Sequence, residues 1–401
     1  MAELDGRKLW FAGIGGAGLS AYAVLAKSWG ADVTGWDRVD TPYLRYVRAA
    51  GIDVVVADEP EPPPDREAIV STAYAGRVAG RTRAEFLAEL VSARRSIVVA
   101  GAHGKTTTAA MVAFCLDRLN QDPAFVIGGE VPQLGGNARA GSGWLVVEGD
   151  ESDRTIASLR PEIAVVTNVD LDHHSTFASR AEVEELFASW LREVPKVVRG
   201  ESLDPVGIEL SVPGEHNRRN AACALAALEL AGVDRDQARW VLREFRGVTR
   251  RFEPRGEAAG VSVYDDYAHN PAKVGALVAA ARERAGNGRV LVAFQPHLYS
   301  RTRHLASELA AALSGADVLC VTEIYRARES AVTGVSGKLV VDAAAERRPG
   351  MALGWTPTLE DAAAFVVRRA RRGDLVLTVG AGDVDRAAPM ILSRLEGSER
   401  G

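Results

Sequence analysis

The segment Gly101-Ala-His-Gly-Lys-Thr-Thr-Thr108 holds the residue types that nucleotide chemistry needs, at a workable spacing. Gly101 and Gly104 let backbone amides approach an anion. Lys105 can meet terminal phosphates, and Thr106 and Thr107 put hydroxyls at a helix start, where magnesium can sit. The common eight-residue phosphate loop would have glycine at Val99, so this is a shortened variant, with His103 inside it. An apolar run at 97–100 precedes it and a helical stretch to 119 follows, which makes nucleotide binding the expectation.

Two acidic clusters follow. Glu148-Gly-Asp150-Glu151-Ser-Asp153 comes directly after the apolar run 144–147, and Asn168-Val-Asp170-Leu-Asp172-His173 after the run 163–167. Both should emerge at the carboxyl edge of a sheet beside the phosphate loop. Oxygen-rich ligands with one imidazole suit Mg²⁺ or Mn²⁺ better than zinc. A further glycine turn, Gly13-Ile-Gly15-Gly16-Ala-Gly18, has Asp37 about twenty residues beyond it, the spacing of a dinucleotide fingerprint. Three readings stay open for it: NAD(P), another diphosphate-bearing ligand, or a tight strand-to-helix turn. Six of the seven histidines fall in such polar clusters. The last two clusters, Asp265-Asp266-Tyr267-Ala-His269-Asn270-Pro271 and Gln295-Pro-His297-Leu-Tyr299-Ser-Arg301-Thr-Arg303, carry basic and aromatic groups that suit a small anionic substrate.

The elements that must position these residues repeat one pattern. Strand, loop and helix alternate from residue 8, again from about 96 and a third time after 250, so the expected architecture is α/β, with parallel sheets covered by helices on both faces. Boundaries are expected near 95 and 247, giving domains over 1–95, 96–247 and 248–401. The chain has 401 residues, of which 47% are hydrophobic and 25% charged, with a net charge of -5. Such a composition excludes disordered and membrane-spanning classes and argues against a nucleic-acid or membrane-surface partner. Cys115, Cys223 and Cys320 are far apart in apolar runs and read as buried thiols of a reducing compartment. The amino terminus lacks a signal-peptide pattern, so a cytoplasmic location is expected.

Together these strings resemble the Mur ligases. The matching segments, in family order, include Gly13 to Gly18, Gly101 to Thr108, Glu148 to Asp153, Thr167-Asn168 with Asp172-His173, Gly214-Glu-His-Asn217-x-x-Asn220, Arg250-Arg251-Phe252, Asp265 to His269, Gln295 to Arg301, Ala327-Arg-Glu329 and Gly380-Ala-Gly-Asp383. The resemblance implies a Rossmann-like amino-terminal domain for a UDP-sugar, a central P-loop ATPase domain, and a Rossmann-like carboxy-terminal domain that closes on ATP and the amino acid. It implies an ATP-dependent ligase that phosphorylates the carboxylate of UDP-N-acetylmuramate and joins L-alanine to it, working as a monomer or weak homodimer.

Carried over by position, Lys105 holds the ATP phosphates, and Thr106, Glu148 and His173 hold the metal. Asn217 and Asn220 lie on the adenine side, Arg251 touches phosphate, and Asp265 or Asp266 touches ribose. Tyr267, His269, His297 and Arg301 line the amino-acid pocket, and Gly13, Gly15, Gly16, Gly18 and Asp37 serve the UDP-sugar. Leu298 stands where arginine is usual, Asn270 where a second histidine is usual, and only 38 residues separate Phe177 from His216. A ligase with another acceptor, a UDP-sugar-sensing protein without activity, and an NAD-dependent oxidoreductase remain as alternatives.

Overall fold

A computed structural model describes residues 4–171, 176–327 and 329–398. The chain forms two compact units, one of residues 1–209 and 219–245, the other of 210–218 and 246–401. Among the described residues it carries three sheets, two in the first unit and one in the second. The first sheet comprises β1 (Lys8–Ala12), β2 (Asp32–Asp37), β3 (Asp53–Val56), β4 (Glu67–Val70) and β5 (Arg81–Thr82), in the order β3-β2-β1-β4-β5. All its pairings are parallel. Strand order reverses at β1, so the turn after it opens at a topological switch point, where α/β sheets receive ligands.

The second sheet comprises β6 (Ser96–Ala100), β7 (Ala124–Val131), β8 (Gly136–Arg139), β9 (Leu145–Glu148), β10 (Ile163–Val166) and β11 (Lys196–Arg199), ordered β11-β10-β6-β9-β7-β8. Only the β7–β8 pair is antiparallel. Every residue of β6 and β10 is buried, as strands covered on both faces require. One apolar core runs through the first unit, joining Phe86 and Val91 of the helix Arg83–Ser92 to Val98, Val147 and Ile156. That helix is fixed at its start by a reciprocal capping box between Thr82 and Glu85.

The second unit holds β12 (Glu253–Ala258), β13 (Val261–Asp266), β14 (Val290–Phe294), β15 (Val318–Val321), β16 (Ala352–Trp355) and β17 (Leu375–Val379), ordered β12-β13-β17-β14-β15-β16. Its pairs are parallel except β12–β13. The sequence reading makes the ends of β13 and β14 successive neighbours; in the sheet β17 lies between them. The expected α/β architecture is the one observed, with three mainly parallel sheets among the described residues. Strands 53–56, 124–131 and 352–355 were not separable from their surroundings by pattern, since they are short, edge-placed or interrupted by glycine.

Candidate active site

The phosphate loop follows β6, the strand in the middle of its sheet, and is flanked by the loops after β9 and β10. This order brings both acidic clusters to the lysine loop. The helix Lys105–Arg118 starts directly from Gly104, whose φ is 82°. A Cβ on Gly104 would lie 2.2 Å from Asn220 Oδ1, and one on Gly101 would lie 2.3 Å from Thr167 Oγ1. Glycine is therefore demanded twice over at each position, by backbone conformation and by crowding. Thr167 and Asn168 clamp the loop. The His103 amide donates to Asn168 Oδ1 at 3.0 Å, Asn168 Nδ2 donates back to the His103 carbonyl at 2.9 Å, and the Thr167 hydroxyl donates to that same carbonyl at 2.6 Å. The sequence reading named Thr167-Asn168 as a matching string and put Asn168 in an oxygen-ligand cluster, but gave neither residue this clamping role. Their place at the end of β10, the strand beside β6, is the signal that could have found them.

Lys105 and Thr106 each face an acid. Lys105 Nζ donates to the Gly101 carbonyl at 2.7 Å and to both oxygens of Glu151, at 3.0 and 2.9 Å. The Thr106 hydroxyl donates to Glu148 Oε2 at 3.1 Å, and the other Glu148 oxygen accepts from the Gly128 amide. Thr107 is buried on the same first turn. Asp150 accepts from the Ser152 amide at 2.9 Å. Burial would raise its pKa, but the hydrogen bonding from Ser152 and the charges of Lys105 and Arg83 outweigh that and hold it below the usual carboxylate range. His103 Nε2 stands 4.0 Å from Asp170 Oδ2. His173 lies outside the described residues, and among the described ones no three acid, histidine or cysteine side chains form a metal cage.

A hydroxyl and a carboxylate side by side suit a hard divalent cation, while the amino end of the 14-residue helix favours the phosphates that such a cation accompanies. The donor set thus fits the cation that the sequence implies.

The opening glycine turn is built by its own acid. Asp37 is 7% exposed, and its Oδ2 accepts from the Gly15 amide at 2.8 Å while Thr41 Oγ1 donates to the Gly15 carbonyl at 2.7 Å. Asp37 therefore shapes the turn at Gly15. Gly13 has φ 83° and lies under Ser71 and Tyr74. Gly16 caps the helix Ala17–Ser28 with no side-chain hydrogen bond. A Cβ on Gly18 would come 2.9 Å from Arg83 Nη1. The same Arg83 reaches Asp153 Oδ2 at 3.5 Å, spanning the turn and the first acidic cluster.

In the second unit, the turn at 249–252 holds two non-glycine residues at positive φ, Arg250 (59°) and Phe252 (49°). Asp266 stabilises it by accepting from the Phe252 and Ala268 amides, both at 2.7 Å. Asp265, with no exposed surface, accepts from Arg250 Nε at 3.0 Å and from Thr378 Oγ1 at 2.6 Å. Burial pushes the pKa of both acids up. The two carboxylates, named in the sequence reading as candidate ribose contacts, hold the strained turn. The turn in return presents Arg251, whose guanidinium lies 5.5 Å from the Tyr267 ring centre. Asn270, in place of a second histidine, caps the helix Pro271–Ala285 through the Lys273 amide. Asn217 donates to the Pro213 carbonyl at 2.7 Å.

Tyr267, His269, His297 and Arg301 do come together. The rings of Tyr267 and His269 are 5.6 Å apart, those of His269 and His297 5.8 Å, and Tyr325 stacks on His297 at 6.0 Å. The glycines after β17 let the ends of β13 and β14 meet across it, since a Cβ on Gly382 would strike Gln295 Oε1 at 2.3 Å and Tyr325 at 2.4 Å. Arg301 Nη1 sits 3.2 Å from His297 Nδ1. Because arginine only donates, that nitrogen accepts, which makes His297 neutral with its proton on Nε2. Burial and the Arg301 charge hold the His297 pKa below its ordinary value, partly opposed by Glu329. Tyr325 carried no expectation, and Glu329 entered only as the end of the matching string Ala327-Arg-Glu329, without a role. Leu298 adopts φ 70°, ψ 134°, its amide bound to the Tyr325 carbonyl at 3.0 Å. The three cysteines are buried and free, with burial pushing the Cys320 thiol up to about 12.

A glycine turn at one switch point, a lysine loop between two acid-bearing strands, and a Rossmann-like third sheet with a basic aromatic cluster define a three-domain, ATP-dependent carboxylate–amine ligase, and sequence comparison agrees. Residues 8–95 match the profile of the Mur ligase family catalytic domain, 99–198 the Mur ligase middle domain, and 250–382 the Mur ligase glutamate ligase domain. The chain belongs to the Mur ligase family. Within it, the chain is 38% identical to the UDP-N-acetylmuramate–L-alanine ligase of Renibacterium salmoninarum, over 97% of this chain and 96% of that protein. With the same-named ligase of Rubrobacter xylanophilus it shares 36% identity, over 97% and 100%. The crystal structure of the UDP-N-acetylmuramate–alanine ligase of Thermotoga maritima superposes with a TM-score of 0.80 at 28% identity, over 98% of this chain and 99% of that one. The Renibacterium alignment runs over 452 positions against the 401 residues here, so that relative carries segments this chain lacks.

Proposed function

We propose that the chain joins L-alanine to UDP-N-acetylmuramate at the expense of ATP, through an acyl phosphate. The observation that carries this reading is the pairing of Lys105 with Glu151 next to Thr106 with Glu148, a phosphate-binding lysine beside a hydroxyl–carboxylate pair. The names of its relatives support the substrate assignment. In the first step a lactyl carboxylate oxygen attacks the γ-phosphorus and ADP leaves. In the second the amine attacks the acyl carbon, phosphate leaves with its electron pair, and the amine loses a proton. Amide, ADP and phosphate are the products.

Lys105, with Gly101 and Gly104 beneath it, receives the phosphates, and the clamp of Thr167 and Asn168 keeps the loop amides in place. Thr106 and Glu148, with His173 by resemblance, would hold a divalent cation, magnesium or manganese by donor chemistry. Such a cation supplies charge neutralisation between the γ-phosphate and the attacking carboxylate. Asn220 stands against the phosphate loop at Gly104, and its adenine-side role rests on the resemblance. The amide groups at Gly16 and Gly18 and the guanidinium of Arg83 suit the diphosphate of the UDP-sugar. Arg251, set by its strained turn, suits phosphate, while Tyr267, His269, neutral His297 and Arg301 suit the amino acid, Arg301 facing its carboxylate. We assign the enzyme to the cytoplasm, as a monomer or weak homodimer, without a nucleic-acid or membrane partner; the net charge of -5 supports the last point.

Leu298 favours a second reading, a different amine acceptor, because an isobutyl group between His297 and Arg301 offers a carboxylate nothing. One experiment decides both. Purified protein with UDP-N-acetylmuramate, ATP and magnesium is assayed for phosphate release against a panel of amino acids and peptides. L-alanine dependence is expected; dependence on another amine selects the second reading, and release indifferent to any amine refutes both.

A further inference from the structure

Lys105 has three N–H donors, and all three are engaged inside the protein. One goes to the Gly101 carbonyl at 2.7 Å and two go to the oxygens of Glu151 at 3.0 and 2.9 Å. Glu151 is 2% exposed and the Lys105 side chain 18%. The carboxylate is also anchored through its own backbone. The Glu151 carbonyl accepts from the Arg154 amide at 3.0 Å, Asp150 accepts from Ser152, and Asp153 accepts from the Thr155 amide at 3.0 Å. The segment then runs into the turn Thr155–Ser158, whose Ile156 is fully buried. Glu151 is thus a fixed anion, set where the lysine ends.

From this geometry we infer that Glu151 competes with the nucleotide for Lys105. A phosphate oxygen gains a Lys105 hydrogen bond in exchange for a Glu151 oxygen or the Gly101 carbonyl, and in either case the buried carboxylate stands one side chain away from a polyphosphate of like charge. Glu151 therefore positions Lys105 at the loop mouth and at the same time weakens ground-state nucleotide binding. That suits an enzyme which must let ADP go after each turnover. The direction is opposite to the loss of binding expected when a supporting acid is removed from an active site.

The inference rests on the ATP-ligase reading. Its test is calorimetric titration of the full chain with ADP and magnesium. Glu151→Gln keeps the shape and removes the charge, so ADP should bind about tenfold more tightly, the worth of one contact of about 1.4 kcal/mol. The kcat for phosphate release should fall as ADP leaves more slowly, with KM for ATP falling too. Glu151→Asp keeps the charge but draws the carboxylate back by one methylene; it should tighten ADP in the same direction by less, and it keeps the test alive where Gln misfolds. A merely structural Glu151 predicts unchanged or weaker ADP binding in both variants, and that result overturns the inference. Lys105→Ala separates the two levels. If the unaltered chain binds ADP and loses it with Lys105→Ala, yet Glu151→Gln does not tighten binding, only the competition falls. If ADP binding is indifferent to Lys105, the ligase reading and the inference fall together.

Discussion

Replacing Lys105 by methionine keeps an unbranched stem of similar length and removes only the charge, which leaves Glu151 as a carboxylate at 2% exposure without its cation. Breaking a buried ion pair by removing one partner costs about 3–5 kcal/mol. The first unit should therefore lose about 3 kcal/mol. Adding Glu151→Gln to Lys105→Met removes the stranded charge and should restore about 2 kcal/mol, a coupling far outside what independent sites give. Because two compact units need not unfold together, a single melting temperature would blur the result. Hydrogen exchange at the amides of β6 and of the helix Lys105–Arg118 reads the first unit alone. About 3 kcal/mol appears there as exchange faster by roughly two orders of magnitude. Unchanged protection in Lys105→Met, or a double variant no better than the single one, would refute the reasoning that Glu151 is held charged by the lysine.

Gly101→Ala places a methyl group 2.3 Å from Thr167 Oγ1 and 2.7 Å from the Asn168 carbonyl, on a backbone at φ 127°. Calorimetry should show ADP affinity down at least tenfold while UDP-N-acetylmuramate binding, which we place on the other sheet, stays within twofold. In the second unit, His297 faces Arg301, Glu329, His269 and Tyr325, and its pKa lies below the ordinary value through burial and the Arg301 charge. The unfolded chain therefore takes up this proton first, so stability falls as pH drops from about 6.5 toward the lower native value. Acceptor KM should rise over the same acid range. Glu329→Gln removes the one group holding that pKa up, so an NMR titration of the His297 ring should move to still lower pH; a move upward would contradict the arrangement.

Much of this protein was determined by local sequence. Glycine at 101 and 104 around Lys105, the β-branched run of β6 before it and the helix after it fix a phosphate loop through short-range rules of backbone conformation and burial. The α/β class follows from the same alternation repeated three times. The grouping of Tyr267, His269, His297 and Arg301 was legible because strand-end residues in a parallel sheet share one edge. Tertiary structure alone decided what the acids do. Asp37, Asp265 and Asp266 have the spacing of ligand contacts, yet their oxygens are taken by Gly15, Arg250, Thr378, Phe252 and Ala268, because a buried carboxylate must satisfy its acceptors from whatever amides and cations the fold brings near. Glu151 and Glu148 sit three residues apart in one motif, but one meets an ammonium and the other a hydroxyl. That division depends on β9 lying beside β6, and strand order is a long-range property that no local pattern encodes.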